Sequence, residues 1–439
     1  MSQVAERQAT QLAAFEAFGR TPAFGQGPVR AMREAAFARF AARGFPTSRE
    51  EEWKFTSVAP IAALPFQPAG PAALERAGLD RVLLGAGMAS EIVVVNGRTP
   101  ARMSSEAGLP AGVRVRSLRD LLSDPAAGAI VARLERRPAL ASDAPFLDLN
   151  TAFFEDGVVI DIAPRAVVTE PLHVVFASVA APSPVVVSPR LVVIVGEQAE
   201  ASIIESYVTI GSGDLLTNAV TQLVVEAGGV LRHAKLQREA ASTFHMASTH
   251  VDLGRAATFA SCAITLGGRI ARNDIVAMLE GDGAECTLDG LYVATGDALI
   301  DTHTAIDHAA PHCPSHEVYK GILAGRARAV FNGKILVRQD AQKTDAKQTN
   351  RALLLSDEAQ VNTKPQLEIF ADDVKCTHGA AIGQLDEDAM FYLRARGISE
   401  ADARNMLIHA FAGDVLARLA IPAVRERAMH AIEEILSLG

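Results

Sequence analysis

Residues 189–211, PRLVVIVGEQAEASIIESYVTIG, and residues 216–239, LTNAVTQLVVEAGGVLRHAKLQRE, decide the fold class. Both are short Val/Ile-rich segments broken by Gly, Asn or Asp, which is typical of strands bounded by turns. The pattern continues from about residue 150 towards residue 384, and no helical period intervenes, which argues against βαβ units. Such a run fits a sandwich, a barrel or a β-solenoid.

Composition favours one of these three folds. Hydrophobic residues make up 49% of the chain and aromatic residues only 5%, so the core must consist mainly of Ala, Val, Leu and Ile. Small side chains favour a solenoid, in which similar layers stack closely. A solenoid needs capped ends, and helical segments at both ends of this chain could provide them. Strict repeats are absent, so periodicity alone leaves the three folds open.

The first 60 residues are predicted to be helical. Pro28 suits a first helical position and Gly44 suits the residue just past the helix end. Glu50, Glu51 and Glu52 are expected to form a solvated face before Trp53, the only Trp. The apolar face of the helix is expected to comprise Val29, Met32, Ala36, Phe37 and Phe40.

The C-terminal region is predicted to hold three helices. Gly397 is expected to end the first as a left-handed cap, Ser399 to cap the second, and Pro422 to open the third. The expected apolar stripes are Ala403, Met406, Leu407, Ala410 and Phe411 on the second helix, and Val424, Ala428, Ile432 and Leu436 on the third. Such stripes could pack on the body of the protein or on a partner.

Charge and cysteine usage exclude several classes of protein. The net charge is -9, with no Lys/Arg-rich run, which argues against nucleic acid or an anionic membrane as a partner. No apolar run is long enough to span a bilayer, and no signal peptide is evident. Four cysteines without a C-x-x-C pair indicate a reducing compartment, so we expect a cytoplasmic protein. No P-loop motif is present, so any ATP hydrolysis should belong to a partner.

Two stretches could carry chemistry. In VKCTH, Cys376 and His378 alternate around Thr377, so in a strand they share one face with their side chains roughly 6.5–7 Å apart. They could then share one metal or sulfur species, or be a packed thiol beside a surface His. The second stretch is more metal-like in composition, although it fits no closed ligand spacing; it contains His303, His308, His312, Cys313 and His316.

Ordered motifs in these stretches resemble one known family. Residues 302–334, residues 331–399 and the N-terminal SREEEWKFTSV at residues 48–58 are similar to the SufB/SufD family of iron–sulfur cluster assembly scaffolds. The resemblance implies a right-handed parallel β-helix flanked by helical regions, which chooses the solenoid. In the cluster-building branch of the family a carboxylate follows the His. Here Gly379 follows His378, so the chain resembles the other branch.

The resemblance also implies partners and a site. It implies pairing with a SufB-like paralogue through the β-helix, binding of a SufC-type ABC ATPase through the C-terminal helices, and homodimers when the subunit is alone. His378 would lie at the pairing interface with Cys376 as the accompanying thiol. No permanently bound cofactor is expected, only transient iron or a transient cluster shared with the paralogue, and reduced flavin on the complex.

Alternative functions stay open at this point. One is a β-solenoid metal-dependent enzyme that uses the cluster from His303 to His316, and another is a purely structural adaptor. For the favoured interpretation, a non-enzymatic scaffold subunit, the predicted regions are an N-terminal helical region at 1–90, a connecting mixed region at 91–150, the β-helix core at 151–384 and a C-terminal helical region at 385–439.

Overall fold

The protein is described by a computed structural model for residues 3–74, 83–84, 88, 90–99, 108–124, 127–138, 140 and 144–437. The α-helices within these ranges are α1 (Gln3–Phe18), α2 (Gly27–Arg43), α3 (Ala59–Ala63), α4 (Leu118–Ser123), α5 (Gly128–Glu135), α6 (Pro145–Phe153), α7 (Glu387–Ala395), α8 (Glu400–Leu416) and α9 (Pro422–Ser437). Short 3₁₀ turns lie at Pro22–Phe24 and Glu51–Trp53.

Strands fill the middle of the chain. They are β1 (Gln67–Pro68), β2 (Ser90–Val95), β3 (Val113–Ser117), β4 (Val158–Ile162), β5 (Leu172–Val179), β6 (Val185–Val187), β7 (Arg190–Val195), β8 (Glu200–Ile210), β9 (Leu215–Val225), β10 (Val230–Arg238), β11 (Thr243–Leu253), β12 (Thr258–Thr265), β13 (Ile270–Leu279), β14 (Glu285–Ala294), β15 (Leu299–His308), β16 (Pro314–Leu323), β17 (Arg328–Val337), β18 (Asp345–Leu354), β19 (Gln360–Ile369) and β20 (Lys375–Gly383).

Two sheets form a parallel β-solenoid. One runs β19-β17-β15-β13-β11-β9-β7-β4-β3, with β6 and β1 attached through β9, and the other runs β2-β5-β8-β10-β12-β14-β16-β18-β20. From β7 onward successive strands alternate between the sheets, so each turn adds one strand to each sheet. Apart from β3 with β4, the strand pairs in the described part of the chain are parallel. The structure therefore confirms the predicted β-helix.

The space between the sheets is the core. Alternate residues of each strand point into it, and many are Ala, Val, Leu or Ile, as composition predicted. Buried examples from successive turns are Leu231, Phe259, Leu288, Ala329 and Phe331. Small residues let neighbouring turns stack at strand spacing.

Helix α2 packs on α6 beside the first sheet. Gly44 ends α2 with φ 77°, and the predicted apolar face is confirmed as buried. The guanidinium of Arg190 joins this helical region to the solenoid, because it donates to Asn150 Oδ1 (3.0 Å) and to Gln222 Oε1 (2.9 Å). A buried guanidinium needs such partners for its donors.

The acidic run Glu50–Glu52 is largely solvated, as predicted, with Glu51 and Glu52 exposed, but it also contacts the first sheet. Glu52 Oε2 lies 3.1 Å from His303 Nδ1 and accepts from Asn332 Nδ2 at 3.1 Å, and Glu51 pairs with Lys364. Trp53, just after them, is buried. The acidic run therefore docks the N-terminal region on the outer face of the first sheet.

The C-terminal helices pack on the outer face of the second sheet. Gly397 has φ 85° and the Ser399 hydroxyl accepts from the Asp402 amide at 3.1 Å, as predicted. The predicted stripe of α8 is confirmed in part: Ala403 is buried and Phe411 packs against the second sheet, whereas Met406 is half exposed. The buried residues of α8 that contact the sheet cluster are Ile408, Ala412, Val415 and Leu416, and those of α9 include Val424, Ala428 and Ile432.

The region predicted as a connection also contributes to the sheets. Strand β2 pairs with β5 and strand β3 pairs with β4, so segments before residue 151 form the first strands of both sheets. The predicted domain boundaries otherwise stay predictions. Within the described ranges, the helices are too short or too polar to cross a membrane.

Candidate functional site

The last turn of the solenoid is open on one side. Strands β19 and β20 end their sheets, and each has a strand neighbour on one edge alone within the described residues, β17 and β18 respectively. Apolar side chains are exposed here, namely Ile369, Phe370 and Ile382, with Phe370 64% exposed. An exposed edge with unpaired backbone groups is a template for pairing with another chain.

Cys376 and His378 both lie on β20. Cys376 is in register with Ala346, and His378 is in register with Gln348. Cys376 contacts an inner cluster that includes Val337 and Ala346, so the inner face of β20 carries both side chains. The structure thus agrees with the extended alternation that the sequence predicts.

The two side chains differ in exposure. Cys376 is half-buried, and burial raises the pKa of its thiol. The thiol must lose its proton before it can bind a metal, and the raised pKa makes that loss harder. His378 is exposed, and its ring has no hydrogen-bond partner among the residues that the structure describes. Iron prefers a neutral imidazole with a free lone pair, and His378 can supply one.

A buried polar column lies directly beneath His378. Gln348 is 2% exposed and its Nε2 donates to Glu317 Oε2 at 2.7 Å. Burial raises the pKa of Glu317 to about 7. Glu317, Gln348 and His378 occupy matching positions on β16, β18 and β20. Sequence reasoning missed this column because the register between strands a full turn apart is not a local property.

A second polar network fills the middle of the solenoid. His233 lies 2.8 Å from Glu205 Oε1, and Tyr207 donates to Glu205 Oε2 at 2.7 Å. Lys235 donates to Asn273 at 2.6 Å, and burial lowers the pKa of this lysine to about 8. Polar residues alternate along this part of the sequence, which could have predicted a polar row on one face of the strand: His233, Lys235, Gln237 and Glu239. Gln237 donates to Glu239 at 3.0 Å, and the other two residues find their partners on other strands.

The structure does not gather the metal-like stretch from His303 to His316 into one site. His303 lies on the outer face of β15, where its Nε2 is 3.0 Å from Asp301 Oδ1. His308 points inward to Ser315 (3.0 Å), and burial lowers its pKa to about 4. His312 is exposed on a turn beside Asp282.

The remaining two members of the stretch lie elsewhere again. Cys313 is buried and its Sγ donates to the carbonyl of Pro311 at 3.3 Å, whereas His316 lies on β16 in the opposite sheet. No three His, Cys, Asp or Glu side chains converge on a metal position in the described part of the chain. The described residues therefore give no support to the alternative of a shared metal site there.

An exposed apolar surface lies on the C-terminal helices, made by Phe391 and Tyr392 of α7 and Met406 of α8. Phe391 is 74% exposed. Ion pairs hold the end of α8 to the second sheet: Lys320 Nζ lies 2.6 Å from Asp414 of α8, and Nε of Arg418, just after α8, lies 2.9 Å from Asp289. Met406 therefore lies on a helix anchored to the solenoid, and Phe391 and Tyr392 lie on the helix that precedes it.

Comparison with known proteins decides the family. The family profile described as SUF system FeS cluster assembly, SufBD core domain, matches residues 177–411, which contain most of the solenoid and both candidate residues. The chain belongs to the SufB/SufD family. The profile of the SufBD protein N-terminal region matches residues 86–174. The chain therefore has a role in iron–sulfur cluster assembly by the Suf system.

Individual relatives agree with the family. A SufBD family protein of iron–sulfur cluster assembly from Synechocystis is 33% identical over 87% of this chain and 85% of its own length. The iron–sulfur cluster assembly protein SufD of Escherichia coli is 38% identical over 55% of this chain and 57% of its own length. The chloroplastic protein ABCI7 of Arabidopsis thaliana is 34% identical over 57% of this chain and 53% of its own length.

Proposed function

We propose that this chain is the SufD-type scaffold subunit of a Suf assembly complex and that it has no turnover of its own. The observation that carries the proposal is the open last turn, where Cys376 and His378 share the inner face of an edge strand. Gly379 follows His378 in place of a carboxylate, so this chain supplies only part of a ligand set. The rest would come from a paralogous subunit.

Pairing with a SufB-like paralogue is proposed through the edges of β19 and β20. Exposed Ile369, Phe370 and Ile382 supply apolar area, and the free backbone groups of the edges supply hydrogen bonds for β-augmentation. The same edges could pair two copies of this chain when it is alone. A cluster-assembly site at this end would then be completed by the partner.

Binding of a SufC-type ABC ATPase is proposed at the surface of Phe391, Tyr392 and Met406. Aromatic residues and Met are enriched at interface cores, and this surface is apolar and exposed. Movement of the ATPase could reach the solenoid through the Lys320–Asp414 pair, because that pair joins α8 to β16. The four cysteines are free thiols, which suits the proposed cytoplasmic location.

Iron and sulfide are cargo in this proposal. A thiol and an imidazole are suitable iron ligands, and a site that is half-built by each subunit can release its cluster when the subunits move. The structure shows no comparable gathering of ligands at the stretch from His303 to His316, within the residues described.

Complementation of a strain that lacks this protein, under iron limitation, tests the proposal. We expect His378→Ala to abolish growth and Cys376→Ala to reduce it, while the paralogue and the ATPase still co-purify. His312→Ala is the matched control, since His312 is exposed on a turn away from the last turn of the solenoid. Normal growth of both site variants would leave the chain as a structural adaptor and overturn the proposed site.

A further inference from the structure

Only one of the two polar atoms of the Gln348 carboxamide has a hydrogen-bond partner among the described residues. Its Nε2 donates to Glu317, but its Oε1 is buried without a hydrogen-bond partner among the described residues. An unsatisfied buried acceptor costs free energy, so it calls for an explanation. Gln348 lies at the last covered layer of the solenoid, one strand below His378.

The side chain of Gln348 is held in place by the opposite sheet. A Cβ at Gly333 on β17 would lie 1.8 Å from Gln348 Nε2, so the amide occupies space that only glycine leaves free. Glu317 then fixes which end of the amide points downward, because a carboxylate oxygen attracts the NH₂ group. The carbonyl oxygen is left without a partner, and the next layer of the solenoid at this position is that of His378.

We propose that Gln348 is a positioning residue for His378: its Oε1 accepts a hydrogen bond from one ring N–H and leaves the other ring nitrogen, with its lone pair, facing the open end. The iron-binding role of that lone pair rests on the proposed function, whereas the hydrogen bond between Gln348 and His378 does not. The layers are about 4.8 Å apart, and the Glu317–Gln348 bond already spans one such step at 2.7 Å.

The chemical consequence concerns the tautomer of His378. A metal-binding imidazole is commonly oriented by a hydrogen bond from its second nitrogen, and loss of that partner typically weakens metal binding about 10–100-fold. In this chain the neutral amide of Gln348 would orient the imidazole. Neutrality matters because a carboxylate in the same place would favour the protonated imidazolium and so compete with iron.

Nitrogen NMR of the metal-free, full-length chain tests the inference. The His378 signals are identified by their loss in His378→Gln, and the spectra are recorded at alkaline pH so that the neutral ring is observed. We expect a single tautomer in the wild type. In Gln348→Met, which keeps the side-chain length but has no acceptor, we expect the two ring-nitrogen shifts to move towards an average of both tautomers.

Two matched variants sharpen the test. Glu317→Gln keeps an acceptor for Gln348 Nε2, so the single tautomer should persist. Gln366→Met changes a glutamine that lines a groove on the outer face of the first sheet, so it should leave His378 unchanged. An averaged His378 in the wild type, or an unchanged one in Gln348→Met, overturns the inference.

The outcome is separable from that of the proposed function. If Gln348→Met does not fold, Gln348→Asn decides instead, because it keeps an amide but is one methylene too short to bridge Glu317 and His378. Complementation by His378→Ala would refute the proposed function and would leave the NMR result standing. A tautomer independent of Gln348 would refute the inference even if His378→Ala fails to grow.

Discussion

His303 and His378 lie on the same solenoid but in opposite surroundings. Both ring nitrogens of His303 lie near carboxylates, at 3.0 Å from Asp301 and 3.1 Å from Glu52. The ring of His378 is exposed, with no partner in the described ranges. His303, with Asp301, Glu52 and Arg272, fixes the N-terminal region to the solenoid, and this group of residues is called the pin below. The ring of His378 is available to a ligand. The number of histidines in a stretch of sequence says less about ligand binding than whether a ring nitrogen is free.

The largest expected effect concerns the pin around His303. Arg272 is buried, donates to Asp301 at 2.8 Å and lies 3.8 Å from the Trp53 ring centroid. Arg272→Ala should lower the free energy of unfolding by about 3–5 kcal/mol, because it leaves the Asp301 carboxylate buried without its cation. Urea unfolding measures this. Arg326→Ala removes an exposed ion pair with Asp297 and should leave stability nearly unchanged.

An equal loss in Arg272→Ala and Arg326→Ala would contradict the view of the His303 region as a buried pin. Complementation should fall with stability in Arg272→Ala and should recover when the protein is assayed at lower temperature. His378→Ala should not recover in this way.

Glu317 predicts a pH dependence for the column under His378. Its pKa is about 7 in the folded protein and 4.5 when solvated, so its contribution is fully present below pH 4.5 and is lost as pH rises through 7. Relative to Glu317→Gln, the wild type should lose about 3 kcal/mol of unfolding free energy between pH 4.5 and pH 8. If the unfolding free energies of the two proteins change equally with pH, the pKa of this carboxyl is not raised in the folded protein.

Gly333→Ala should disturb the His378 region with little effect on the pin. The added methyl would press on the amide of Gln348, and overpacking of this kind costs about 1–3 kcal/mol. The NMR signals of His378 should shift as well. Gly379→Ala is the control for stability, because a Cβ at Gly379 meets no atom within 4 Å. Equal stability of the two variants would argue against a tightly held amide.

The smallest effect is expected at the edge of the pin. Glu52→Gln should lower the pKa of His303, which burial and Arg272 depress and which Asp301 and Glu52 raise above its usual value. The loss of stability should be about 0.2–1 kcal/mol, because the Glu52 side chain is 55% exposed. Histidine NMR titration reads the pKa. Glu51→Gln, which loses only the pair with Lys364, should leave His303 unchanged.

Much of the fold could be predicted from local patterns. Turn residues between Val/Ile-rich segments predicted the strands, and small residues predicted close stacking. Gly44, Gly397 and Ser399 marked helix ends correctly, because caps depend on backbone conformation and on side-chain atoms within a few residues. The stripe of α8 was right at Ala403 and Phe411 but wrong at Met406, because the outer surface of the second sheet decides which face packs.

The candidate site also has one part that the sequence predicts and one part that depends on the tertiary structure. Alternation in the sequence placed Cys376 and His378 on one face of a strand, since side chains in a strand have a period of two. Only the tertiary structure decided that Gln348 lies beneath His378, that Glu52 reaches His303, and that the residues from His303 to His316 separate onto two sheets and a turn. Register between turns of a solenoid depends on loop lengths and on the stacking of distant side chains, and neither is encoded in a local window of sequence.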